Sequence, residues 1–235
     1  MDIDKIVLGD CYELIKELPK ESVDLIITDP PYDFHDSKFQ SAMAEKRTYV
    51  KEMIKAKITN SFNFHILDDW LRVMKKINIY IWCNKEQLVD YLNYFVEERG
   101  CNFEIIIWAK TNPAPFTCGH YLKDKEYCLY FWEKGVKLQP DFDTGKTVYY
   151  SKVGDMNDIR KQYYHPTMKP EFIIENMIKN SSKEGDIILD TFSGSGTTCC
   201  VAKKLNRHYL GFEINKDFYE RSISRLNESE QLRLF

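Results

Sequence analysis

Residues 186–198 read DIILDTFSGSGTT: an apolar run, an acid, then a short turn carrying Gly194 and Gly196. Residues 199–206, CCVAKKLN, follow as a helix, and residues 207–214, RHYLGFEI, as another strand. Strand, glycine-rich turn, helix and strand in succession form the repeating unit of a parallel α/β sheet, so this stretch decides the fold class. The glycines stand where the chain must bend sharply and let a ligand approach the backbone.

Upstream, the same alternation recurs. KIVLGD (5–10), VDLIIT (23–28) and INIYIWCN (77–84) read as strands, the second a continuous apolar run of the kind buried on both faces. CYELIKELP (11–19) reads as a helix closed by Pro19. Phe62, Ile66, Trp70 and Val73 fall at helical spacing in residues 61–76, as do Leu88, Leu92 and Phe95 in residues 85–100, where Gly100 supplies a stop. FEIIIWAK (103–110) and EYCLYFWEKG (126–135) read as a strand pair separated by the proline-rich TNPAPFTCGHY. Pro170 opens a helix where its missing N–H costs nothing, and Asn215 caps the last one. Residues 33–60 and 136–164 are polar and lack a clear period, and no repeat or linker divides the chain. The expectation is one catalytic domain over residues 1–235, with a mostly parallel central sheet, an antiparallel strand pair and helices on both faces.

Composition excludes several classes. Of 235 residues, 43% are hydrophobic and 29% charged, which is ordinary for a globular chain and argues against disorder. A formal net charge of −3 argues against a histone-like basic binder, because phosphate contacts need cations. Locally the balance differs: residues 38–57 carry Lys38, Lys46, Arg47, Lys51, Lys55 and Lys57 against Glu45 and Glu52, a solvated face or a phosphate-binding one. Seven cysteines form no CxxC pair and no metal-ligand spacing, so buried free thiols in a reducing compartment are expected, with no metal. No long apolar window or basic leader is present, and a soluble cytoplasmic protein without membrane contact is the corresponding expectation.

The glycine turn alone admits several ligands. A phosphate-binding loop needs Gly-Lys-Ser/Thr, but Thr197 and Thr198 follow Gly196; a dinucleotide fingerprint needs a third glycine where Thr198 stands. A plain structural turn remains open. Glu213, at the end of the next strand about 20 residues on, is placed to accept hydrogen bonds from both hydroxyls of a ribose. Turn plus distal acid favours an adenosine-containing ligand without a pyrophosphate, a description that S-adenosylmethionine meets.

The run VDLIIT ends on Asp29-Pro30-Pro31-Tyr32, at the carboxyl end of its strand, where open α/β sheets hold ligands. Two prolines make this corner rigid and rich in acceptors. Such a corner suits the exocyclic amino group of a nucleobase. The carboxylate of Asp29 and the carbonyl of Pro30 would grip its two N–H bonds and stabilise the nitrogen as it becomes positive. Tyr32 would stack on the base, worth about 1–3 kcal/mol, once the base has left the duplex.

DPPY (29–32), the connecting HPTMKP (165–170) and FSGSG (192–196), with the acceptor motif first and the glycine turn last, resemble the S-adenosylmethionine-dependent DNA amino-methyltransferases of the permuted beta group, and the likeness extends from GDCYELIKELP to YLGFEIN. The resemblance implies a Rossmann-like methyltransferase fold. It places Asp190, Phe192, Gly194 and Gly196 along the cofactor, Glu213 on its ribose, Asp10 and Cys11 near its adenine, and Thr167 and Lys169 at its methionine end, with Asp29 also facing the cofactor. His165 is expected to be structural. The implied reaction is direct in-line methylation of the 6-amino group of adenine in DNA. The 4-amino group of cytosine is the nearest alternative, although related cytosine enzymes more often begin the motif with Ser. A non-catalytic DNA-binding module on the same fold is a further alternative. Carbon-5 methylation of cytosine is disfavoured, since no Pro-Cys dipeptide exists. Residues 136–164 are short for a target-recognition segment, although Lys137, Lys146, Lys152, Arg160 and Lys161 are placed there for phosphates. Target reading therefore calls on residues 33–60 as a DNA-contacting loop, on the second subunit of a homodimer, or on a short site.

Overall fold

The computed structural model of the chain describes residues 2–31, 63–113, 115, 119, 121–153 and 168–231. Its elements are β1 (Lys5–Leu8), α1 (Cys11–Leu14) continued by a 3-10 turn (Ile15–Glu17), β2 (Leu25–Thr28), α2 (Ile66–Val73) and β3 (Asn78–Cys83). There follow α3 (Leu88–Leu92) with a π-helical segment (Asn93–Glu97), β4 (Asn102–Lys110), β5 (Lys125–Trp132) and β6 (Val148–Ser151). The chain then forms α4 (Glu171–Ser181), β7 (Ile187–Asp190), α5 (Thr197–Lys204), β8 (His208–Glu213) and α6 (Lys216–Gln231).

Eight strands form one sheet in the order β1-β8-β7-β2-β3-β5-β4-β6. β5 runs antiparallel to both of its neighbours, and every other pairing is parallel. The strand alternation sends successive side chains to opposite faces. Ile26 joins a core with Ile15, Trp70, Tyr91 and Phe95, beneath α1, α2 and α3. Leu25 and Ile27 join a second core with Ile174, Met177, Val201 and Leu226, beneath α4, α5 and α6. Helices therefore cover both faces, which is why Leu25, Ile26 and Ile27 are apolar in succession: all four residues of β2 are buried.

Several expectations are refined. β6 arises from a segment without visible period and pairs with β4 as an edge strand, Trp108 opposite Tyr149. The third helix turns its buried face through Tyr91 and Phe95, four residues apart, with Leu88 and Leu92 only partly covered. Pro170 is the N-cap of α4 rather than its first residue. Asn215 caps as expected, its side-chain oxygen accepting from the N–H groups of Asp217 (3.0 Å) and Phe218 (3.2 Å).

The chain order matters for the site. β2 leads toward β3 on one side, and β7 toward β8 on the other, so the connections diverge at the β7/β2 junction. At such a switch point the carboxyl ends of the strands border a crevice.

Candidate active site

A cavity lies at the carboxyl ends of β1, β2, β7 and β8. Among the residues sequence reading singled out, Asp10, Cys11, Asp29, Lys169, Asp190, Phe192, Gly194 and Glu213 line it together. Pro30 is buried beside Asp29 without lining the cavity; Pro31 does line it. Tyr32, Thr167 and His165, with the whole basic run at residues 38–57, lie outside the described residues.

Glu213 joins the glycine turn to the end of β8. Its Oε2 accepts from the Gly194 N–H (2.7 Å) and its Oε1 from the Asn215 N–H (2.7 Å). Burial pushes its pKa up, against the pull of backbone N–H groups of Asn215, Gly194 and Ile214. A carboxylate has about four acceptor sites, so each oxygen keeps capacity for a ligand hydroxyl. Gly196 does something else. It has φ of +71° at the N-cap of α5, and a Cβ there would meet Ser222 Cβ at 3.0 Å and Ile6 Cδ1 at 3.1 Å. Gly196 thus lets the turn press against α6 and β1 on the side away from the cavity, and it is not among the cavity-lining residues.

Asp10 caps α1, its Oδ1 accepting from the Tyr12 N–H (2.9 Å), and this fixes the rim next to Cys11. Burial raises the Cys11 thiol well above its usual range, with Asp10 adding to the effect, so it stays protonated and is no nucleophile. Asp190 is also buried; burial pushes its pKa up to about 7, with the charge of Asp29 adding, against hydrogen bonds from Thr198 and the Phe192 N–H (3.1 Å). Phe192 stands edge-on to Tyr12, ring centroids 6.4 Å apart. Below them Thr191 stitches the two strand ends together, bonding Thr28 (3.1 Å) and receiving the Trp70 indole N–H (3.2 Å).

Lys169 is buried, and its ammonium engages the Oδ2 of Asp29. It also lies 3.3 Å from Glu126 and 5.1 Å from the centre of the Trp82 ring. The two carboxylates hold its pKa raised despite the cost of burial. This cation therefore engages the acid that ends β2. Sequence reading missed Glu126, Trp82 and Arg225. Arg225 gives hydrogen bonds to the Ser195 carbonyl (3.0 Å) and Thr197 hydroxyl (3.0 Å) of the glycine turn, and pairs with Glu171 at 2.6 Å. Its signal was legible: it sits on the same helical row as Phe218 and Ser222, a cation on a buried face. Glu126 carried none, because only the antiparallel pairing of β5 brings it to this corner.

The charge of the cavity restricts its ligand. Four carboxyl groups, Asp10, Asp29, Asp190 and Glu213, face one lysine. Such a lining repels phosphates and suits a ligand that is cationic and carries hydroxyl donors.

Residues 23–224 match a family described as DNA methylase, N6/N4 type. The type II methyltransferase M2.LlaDCHI of Lactococcus lactis is 32% identical over 95% of this chain and 89% of its own length. M2.DpnII of Streptococcus pneumoniae is 29% identical over 96% and 90%. Among solved structures, an M1.HpyAVI–SAM complex aligns with a TM-score of 0.68 and 25% identity, over 94% of this chain and 99% of that one. PvuII DNA methyltransferase, titled cytosine-N4-specific, shares the fold with a TM-score of 0.66 at 18% identity, over 97% and 90%.

Proposed function

Because the chain belongs to the DNA methylase family that its residues 23–224 match, we propose that it transfers a methyl group from S-adenosylmethionine to the 6-amino group of adenine in DNA. The observation that carries this reading is that Asp29, an acid at a rigid strand end, shares one anionic cavity with the Glu213-bound glycine turn. S-adenosylmethionine fits that lining: it is cationic, bears two ribose hydroxyls and has no phosphate.

Glu213 would hold the ribose, Asp10 and Cys11 the adenine side, and Asp190, Phe192 and Gly194 the body of the ligand. The bound donor supplies a methyl on a positively charged sulfur, already activated for displacement. Asp29 and the Pro30 carbonyl take the two N–H bonds of a base turned out of the duplex. As the nitrogen held by Asp29 and Pro30 bonds to the methyl carbon, that carbon's bond to sulfur would break, with the electron pair left on sulfur. The nitrogen then sheds one proton to Asp29, which passes it to solvent. Positioning in line, with about 3–3.5 Å between reacting atoms, supplies most of the acceleration. Asp at position 29, rather than Ser, favours adenine over the 4-amino group of cytosine. Tyr32 is assigned the stacking role on the resemblance alone.

The test is incubation with tritiated S-adenosylmethionine and adenine-containing DNA, followed by digestion to nucleosides. Label on N6-methyldeoxyadenosine is expected. Label only on N4-methyldeoxycytidine would move the substrate to cytosine, and label on neither would overturn the reading.

A further inference from the structure

The cation bound to Asp29 is itself shared. Lys169 reaches Asp29 on one side and Glu126 Oε2 on the other, while Glu126 Oε1 lies 2.5 Å from Lys110 Nζ. Lys110 closes β4 and Glu126 stands near the start of β5, so this pair belongs to the antiparallel part of the sheet and is not among the cavity-lining residues. The four groups alternate in sign: Asp29, Lys169, Glu126, Lys110. Glu126 is charged in this setting, because the two ammonium groups outweigh the cost of its burial.

The methyl-transfer reading, on which this inference rests, requires negative charge at Asp29 when the accepting nitrogen becomes cationic. A lysine bonded to Asp29 alone would cancel that charge where it is needed. We propose that Glu126 is a positioning residue for methyl transfer: it holds the Lys169 ammonium toward β5, so that Asp29 keeps the negative charge that stabilises the reacting amine. The Trp82 ring, its centre 5.1 Å from the ammonium, adds a cation–π contact to those with the two carboxylates. A merely structural Glu126, present to make a buried lysine tolerable, would change stability and leave the rate of the bound complex alone.

Single-turnover transfer to adenine-containing DNA, measured for Glu126→Gln at saturating donor, separates the two. The rate is expected to fall by about tenfold or more, as when one preorganised electrostatic contact is lost, while donor affinity by calorimetry changes by less than about threefold. Glu126→Asp, which keeps the charge, should recover part of the rate; it also carries the test if the Gln variant does not fold. Because Glu126 acts through Lys169, adding Glu126→Gln to Lys169→Met should cost no more than about twofold further. A Gln variant at the wild-type rate, or an undiminished loss in the Lys169→Met background, would overturn the assignment while the methyl-transfer reading stands. Wild-type protein that labels no DNA would overturn both.

Discussion

Asp29, Asp190 and Glu213 are three acids in one cavity given different tasks by their surroundings. Asp29 is ion-paired with Lys169, which holds its carboxylate in place to accept hydrogen bonds from the reacting amine. Asp29→Ala should lower methyl transfer by about a thousandfold, the upper range for loss of one transition-state contact, while calorimetric affinity for S-adenosylmethionine stays within a few-fold. Asp190 behaves differently, since its carboxyl is raised from 3.8 to about 7 by burial. Between those values the folded chain keeps a proton that the unfolded chain has released, so stability falls as pH rises toward 7 and levels off above it. The full effect is on the order of 4 kcal/mol. Asp190→Asn is neutral throughout; urea midpoints at about pH 5 and 8 should show wild type losing stability relative to it as pH rises. Of these acids, Asp29, Asp190 and Glu213 were legible because each ends an apolar strand. Glu126 was not, since its partner Lys169 is set by strand order rather than by local pattern.

The glycine turn is held by two neighbours that are distant in sequence. Glu213 at the end of β8 accepts from the Gly194 N–H, and Arg225 on α6 donates to the Ser195 carbonyl and the Thr197 hydroxyl oxygen. Arg225 also pairs with Glu171 at the first position of α4, so α6 ties the turn to the segment that carries Lys169. Its side chain is 5% exposed, and removing one member of a buried pair typically costs about 3–5 kcal/mol. Arg225→Met should therefore lower the thermal midpoint and, by loosening the turn, weaken donor binding; an unchanged affinity by calorimetry would separate the turn from the ligand. Gly211 in β8 is equally constrained, because a Cβ there would lie 2.8 Å from Cys199 Sγ and 2.8 Å from Ser193 Oγ. Gly211→Ala should overpack this junction and cost about 1–3 kcal/mol in urea unfolding. The helices and strands around the turn were readable because each buries one face against the sheet. β6 was not: its edge position leaves Val148 and Tyr150 exposed, so no alternation of apolar and polar residues marks it.

The sheet order, rather than any one motif, makes the cavity a junction. β1, β8 and β7 supply one wall, with Asp10, Asp190 and Glu213, while β2 supplies Asp29 on the other side of the switch point. The alternation of strands and helices revealed an α/β sheet, but the position of β7 between β8 and β2 follows from long-range pairing that residue order does not display. A ligand that spans this junction contacts both halves of the sheet, so binding should stabilise the whole fold and not a local segment. At about 100 times its dissociation constant a ligand adds about 2.7 kcal/mol, and in a chain of this size each kcal/mol moves the midpoint by about 2–4 °C. S-adenosylmethionine should thus raise the thermal midpoint by about 5–11 °C. ATP shares the adenosine but brings phosphates to a lining of four carboxyl groups and one lysine, and at equal concentration it should produce little shift. Equal shifts from the two would show that adenosine alone is read and that the negative charge of the cavity selects nothing.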